Sequence, residues 1–375
     1  MRFQKKEKRI YRIVSTEIKL KETFSFKRVI IPILIGIGFS VFSLMDNDFE
    51  FSYLRGIEYS LLYILLALLM MLIRDAMYVW RLRILLEKQL SIMSSLQVIL
   101  LWEFASSVSP SMVGGSAFAL FFINAEGVKL GKSTAIVMIT ALLDELFYIF
   151  VVALILLFYG TEVLQVQEIL SINVTHLFFI GYGFIVALTT VILCAIFIFP
   201  QGFKKLLTAV FSLPFIRKWK EGAARTGDDI ITTSIELKHK KPGYWIKSFT
   251  ITAFSWTARF LVLNCLVLAL NPEMEFQFSQ QVMIYAKQLV MWVILLISPT
   301  PGASGIAEAI FPAFFGGDFP ANLQDAVALL WRGISYYPYL FIGLIVLPIW
   351  LSKLEKRRIS KLKHKEKENE NKTEC

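Results

Sequence analysis

Residues 298–311 read SPTPGASGIAEAIF and stand inside a long apolar run. Pro299, Pro301, Gly302 and Gly305 interrupt what would otherwise be one membrane helix. An echo, SPSMVGGSAFALFF, occupies 109–122. Proline has no amide hydrogen and biases the preceding residue away from the α region, so Pro110, Pro299 and Pro301 end the helical arms before them. Gly114, Gly115, Gly302 and Gly305 permit tight turns and close backbone approach. How the chain passes these two places decides the fold.

The surroundings are those of a membrane protein. Apolar residues make up 56% of the 375-residue chain and Phe occurs 32 times, with a mean hydropathy of +0.61. Several runs of about 20 apolar residues point to a polytopic helical protein rather than a soluble domain. The net charge of +10 lies in the N-terminal tail (Lys5, Lys6, Lys8, Arg9), in 203–247, and in the C-terminal tail from Lys353 to Lys372. Beside membrane spans, such clusters read as cytoplasmic segments facing anionic inner-leaflet lipid, not as a nucleic-acid surface. Three cysteines and three histidines are scattered. They give no disulfide framework, no metal-ligand spacing and no reason to expect a cofactor. The first apolar run, 29–45, has no small-residue cleavage pattern and reads as a retained span.

Six stretches are suited to cross: 29–45, 59–80, 134–158, 174–199, 248–270 and 326–350. Lys and Arg in 81–88, 129–132, 203–247 and both tails place those segments, and both termini, in the cytoplasm. The segments 46–58, 160–173, 271–281 and 316–325 are poor in Lys and Arg and belong outside. Segment 96–124 then starts and ends inside, while 282–316 starts and ends outside. Each must enter, turn at its Pro/Gly break and leave by the same face. Thirteen residues of arm at 96–108 make only about 20 Å of helix, short of a core about 30 Å thick.

The expected fold is therefore an all-α polytopic membrane protein, with about six transmembrane helices plus two re-entrant helical hairpins in inverted-topology repeats. Repeat one covers about 59–158 and repeat two about 248–350. A basic tail (1–28) precedes the membrane domain (29–350). Segment 200–247 reads as cytoplasmic, its part GFKKLLTAVFSLPFIRKWK as an interfacial anchor. The charged tail 351–375 reads as disordered.

Ionisable residues at membrane depth are costly, about 2.5–3.5 kcal/mol each on insertion scales, so each is a candidate for function. Asp144 and Glu145 lie mid-span and about 100° apart on a helix. Arg259 lies midway along 248–270, and Arg332 less than two turns inside the last span. Glu103 and Lys287 fall on the first hairpin arms. Glu308 follows the Gly305 break by one turn. The N–H groups that open each second arm would suit an anionic group such as a lipid phosphate. Structural readings stand beside these. Asp144 with Arg259 would make an ion pair fixing the repeats together. Arg74, Arg81 and Arg83 would snorkel to the inner face, Arg74 pairing with Asp75, and Lys287 would snorkel outward.

The run Pro301–Gly302, Gly305, Glu308 resembles the P-G-x-x-G-x-x-E signature of the lysylphosphatidylglycerol synthase transmembrane-region family. That family includes the flippase half of the multiple peptide resistance factor. Trp80–Arg81, Asp144 in ALLDEL, and Arg332, Tyr336, Tyr337 and Pro338 in WRGISYYPY add to the likeness, which covers about 55–350. The resemblance implies a bacterial inner-membrane protein that translocates a phospholipid or lipid-linked substrate. Two departures bear on the headgroup. This chain has SAFALFF where members often carry a basic residue after the glycine pair, and Thr140–Ala141 where they often have Glu-Arg. The best-known members also carry an aminoacyl-transferase domain, for which the longest polar stretch in this sequence, 200–247, is expected to be too short.

Residues and resemblance together point to a flippase-like transporter, not an enzyme. Its substrate site would draw on Pro110, Gly114, Gly115, Asp144, Arg259, Pro301, Gly302, Gly305, Glu308 and Arg332, with Glu103, Glu145, Lys287 and Tyr336 as secondary candidates. A small-solute transporter or channel is the alternative. Gly302–Gly305 (GASG) also matches a G-x-S-G serine-nucleophile pattern, but Ser304 has no evident base in the sequence.

Overall fold

The computed structural model describes residues 60–109, 115–166, 174–213, 217, 220–270, 276–296, 298–319 and 324–371, together with residues 34 and 38. The expected span 29–45 thus lies outside the described residues, apart from those two positions. So do Pro110 and Gly114. Among the described residues twelve α-helices are defined and no sheet is formed. Five helical stretches among them are long and apolar enough to cross a membrane.

Helix α1 (Leu61–Leu85) leads through a tight turn, with Glu87 and Lys88 at positive φ, to α2 (Ile92–Val108). The Ser91 hydroxyl caps α2 by accepting the Ser94 amide at 3.1 Å. After the first Pro/Gly break comes α3 (Gly115–Ala125), then the long α4 (Leu130–Tyr159) and α5 (Val174–Leu193), which continues through a π turn over Cys194–Ile198. Helices α6 (Pro200–Val210) and α7 (Lys220–Lys238) pack on one another outside these spans. No α6 residue is buried, and Leu206 and Val210 remain exposed.

The second half repeats the order. Helix α8 (Pro242–Leu270) is followed by α9 (Phe278–Leu296), the break at 298–305 and the short α10 (Ile306–Phe315). Then come α11 (Gln324–Ser335) and α12 (Tyr337–Asn371). Helices α1 and α8 pack antiparallel along their whole length. The Ser60 amide donates to the Ala269 carbonyl at 2.9 Å, the Ser255 hydroxyl to the Arg74 carbonyl at 3.2 Å, and Tyr244 faces the Leu85 carbonyl. One apolar core gathers α8–α11 with parts of α4 and α5; the other gathers the end of α1 with α2, α3, the start of α4 and α12.

One expectation gains a detail and one needs correction. The last span, read over 326–350, lies within the crossing stretch Gln324–Arg357, interrupted at Tyr336 between α11 and α12. Pro338 has no N–H to continue the α11 ladder, and it sits where proline is tolerated, in the first turn of the next helix. The tail beyond Glu355 is not irregular: α12 runs through it to Asn371. It lacks glycine and proline after Pro348 and is rich in Lys and Glu, which are strong helix formers.

Helices α2 and α12 approach closely because Gly343 has no side chain. A Cβ there would lie 2.0 Å from the Phe104 ring, which is fully buried. Gly343→Leu is expected to cost more than the about 1–3 kcal/mol typical of overpacking a core. Thermal unfolding of the detergent-solubilised protein reads this as a lowered midpoint.

Candidate functional site

The break after α9 is built by three residues in the left-handed region: Gly302 (φ 56°), Ala303 (φ 56°) and Gly305 (φ 82°). Gly302 is fixed by a neighbour as well, since a Cβ there would stand 2.3 Å from the Tyr336 ring. Helix α10 opens at Ile306, and Glu308 reaches back to accept the Gly305 amide through Oε2 at 2.7 Å. The other oxygen, Oε1, accepts the Arg332 Nε at 3.0 Å. Arg332 also donates from Nη2 to the Gly302 carbonyl at 3.0 Å, and its guanidinium lies 3.6 Å from the centroid of the Tyr336 ring. Glu308 is 2% exposed and Arg332 6%.

Tyr336 then joins the two breaks. Its hydroxyl accepts from Ser304 Oγ at 3.0 Å and donates at 2.9 Å to the carbonyl of Ser107, in the last turn of α2. The amide at the N-cap of α10, that of Gly305, is met by Glu308, which Arg332 neutralises.

Helices α1, α2, α4, α8 and α12 bring a second set of charges together. Arg81 forms a close two-pronged pair with Asp144, its Nη2 lying 3.3 Å from Oδ2. Its Nη1 also donates to Thr252 at 3.1 Å, and Trp256 Nε1 donates to Asp144 at 2.7 Å. Arg74 donates to Tyr339 at 2.7 Å and to Asp75 at 2.9 Å, with its Nη2 against Glu103. Tyr339 in turn donates to Asp75. Arg259 stands 3.9 Å from Glu103 and packs against Trp292 and Trp256, 4.3 and 5.5 Å from their centroids.

The expected Asp144–Arg259 pair is therefore not formed. Antiparallel packing puts Arg81, not Arg259, level with Asp144. Nor do Arg74 and Arg81 snorkel, since both are buried against inward-facing carboxylates. The expected Arg74–Asp75 pair is present.

These groups surround one cavity of about 190 Å³. Of the candidates read from the sequence, Glu103, Asp144, Glu145, Arg259, Gly302, Arg332 and Tyr336 line it. Glu145 faces it while accepting the Thr189 hydroxyl at 2.8 Å. Pro301, Gly305 and Glu308 lie behind Arg332 rather than on the wall. Gly115 also stands off the wall, pressed against Ser106, where a Cβ would meet Oγ at 1.9 Å. Lys287 pairs with Asp318 at 3.0 Å, away from the cavity. The sequence reading missed Arg81, Tyr148, Trp256 and Trp292 as wall residues. Helical spacing carried a signal for two of them: Tyr148 follows Asp144 by four residues and Trp256 precedes Arg259 by three, so each pair shares a face.

The α5 wall matters for access. Phe184, Ile185 and Leu188 line the cavity, and Phe184 is also 52% exposed on the outer surface. The cavity thus extends toward the side of the bundle.

The model of the lysylphosphatidylglycerol synthase TM region matches residues 29–343. The chain belongs to this family. A relative from Archaeoglobus fulgidus, described as a UPF0104 membrane protein, is 24% identical over 328 residues, covering 84% of this chain and 94% of that protein. No solved structure matches the chain. The whole cavity, from Tyr78 to Tyr339, falls inside the family region, as does the break at Tyr336. Thr140 and Ala141 are both wall residues.

Proposed function

We propose that this integral membrane protein translocates or scrambles a charged lipid or lipid-linked headgroup through the cavity, with the acyl chains kept in the bilayer. The observation that carries the reading is the wall itself. Arg81, Glu103, Asp144, Glu145, Arg259 and Arg332, from five different helices, converge on one space whose α5 side reaches the protein's flank. Charges at that depth are retained where they serve a pathway. Both signs are represented, which suits a polar headgroup better than a single small ion.

In this reading α2–α3 and α9–α10 are re-entrant hairpins of two inverted repeats. The lengths of the first pair support it. Helix α2 has 17 residues and α3 has 11, about 26 and 17 Å of helix against about 30 Å of hydrocarbon. So do their ends. Gln97 near the start of α2 accepts from Lys353, while Glu126 just past α3 accepts from Trp350 and Arg357. Both ends of the pair therefore meet the same stretch of α12. That end carries Lys240 and Lys132 beside Glu87 and would be cytoplasmic, with both termini, in a bacterial inner membrane. The exposed apolar side of α6 would rest on the inner leaflet.

The small-solute alternative is favoured by the cavity's size and disfavoured by its reach toward the flank. A hydrolytic role for Ser304 finds little support, because its hydroxyl donates to a phenol and receives Arg332 at 3.4 Å. Purified protein in vesicles is expected to move headgroup-labelled phospholipid between leaflets faster than empty vesicles do. Rates no faster than those of empty vesicles with anionic, zwitterionic and aminoacylated headgroups alike would overturn the proposal.

A further inference from the structure

Most charges around the cavity are already engaged. Arg74, Arg81 and Arg332 each hold a carboxylate and at least one further protein oxygen. Arg259 differs. Its nearest carboxylate oxygen, on Glu103, is 3.9 Å away and already against Arg74, and its side chain is 17% exposed. Trp256 and Trp292 pack against the guanidinium and fix its place without using its N–H donors.

Tyr148 supplies an independent sign. It lines the same cavity, is 3% exposed, and its hydroxyl has no hydrogen-bond partner. The ring is held edge-on against Trp256 (5.1 Å between centroids), Phe147 (5.7 Å) and Phe260 (6.3 Å), so the hydroxyl is not free to turn away. Trp256 packs against both groups, its ring 5.5 Å from the Arg259 guanidinium and 5.1 Å from the Tyr148 ring. A buried donor left unpaired is costly, and proteins rarely keep one without a ligand or water to meet it.

We propose that Arg259 and the Tyr148 hydroxyl, framed by Trp256 and Trp292, form the seat for the phosphodiester of a membrane lipid. The donors come from different helices, α8 and α4, and would each meet one oxygen of a tetrahedral anion. The cavity's reach past Phe184 lets such a group arrive from the bilayer. The inference rests on the transport reading and names what its site grips.

The test is thermal unfolding of the purified protein with four probes: phosphatidylglycerol, phosphatidylethanolamine, diacylglycerol and inorganic phosphate. Both phosphodiester lipids are expected to raise the wild-type midpoint and diacylglycerol to leave it unchanged. Tyr148→Phe keeps the ring packing, so it serves where Arg259→Gln does not fold. It is expected to raise the unliganded midpoint, by removing an unpaired buried hydroxyl, and to weaken lipid binding about tenfold, the usual scale for a hydrogen bond to a charged group. Unchanged lipid binding in Tyr148→Phe, or equal stabilisation by diacylglycerol, overturns the seat. A Tyr148-dependent response to inorganic phosphate with none to the lipids overturns the lipid assignment. Transport in vesicles that persists unaltered in Tyr148→Phe overturns the seat alone. Tyr148-dependent binding without wild-type transport overturns the transport reading alone.

Discussion

Arg332→Ala is expected to destabilise the protein by about 3–5 kcal/mol, the usual cost of orphaning a buried charge. Glu308, at 2% exposure, would lose its counter-ion, and the Gly302 carbonyl would lose its donor. Tyr336 would lose the guanidinium packed on its ring, and with it part of the order that ties the second break to Ser107. The effect should therefore exceed that of the ion pair alone. Adding Glu308→Gln removes the orphaned charge while leaving an amide oxygen for the Gly305 N–H, so the double variant should recover a large part of the loss. A double-mutant cycle on unfolding midpoints decides the matter. Purely additive losses would show that Glu308 and Arg332 are not energetically coupled.

The Pro/Gly breaks could be read from the sequence because their cause is local. A missing N–H ends a helix wherever the chain goes next, and α9 stops at Leu296, just ahead of Pro299 and Pro301. Partner choice could not be read that way. Whether Asp144 meets Arg259 or Arg81 depends on the antiparallel register of α1 against α8, set by packing along both helices. The break at Tyr336 hid inside an unbroken apolar run, although Pro338 marked it. Lys287 looked like any other charge at depth until Asp318 was placed beside it. Tyr148, Trp256 and Trp292 gave little contrast in a chain with 53 aromatic residues, that is 32 Phe, 13 Tyr and 8 Trp. The tail after Glu355 is helical despite its low hydropathy, because Lys and Glu are strong helix formers and no glycine or proline interrupts it.

The largest loss is expected from Arg74, which is fully buried and contacts Asp75, Glu103 and Tyr339 at once. Arg74→Ala leaves two carboxylates in one enclosed space, with Arg259 as the nearest remaining cation at 3.9 Å from Glu103. The cost should reach or exceed the about 3–5 kcal/mol of a single orphaned charge. Arg74→Lys should be only partly better, because a compact ammonium cannot copy the planar fork that now serves three partners. The consequence for function is more telling than the loss of stability. Without Arg74, Glu103 draws Arg259 toward itself and away from the cavity, so phosphodiester binding falls even in protein that still folds. Arg74→Gln should show this weaker binding, and adding Glu103→Gln should restore it by releasing Arg259. If the double variant binds lipid no better than Arg74→Gln, then Glu103 does not compete for Arg259, and the division of labour between the two arginines is wrong.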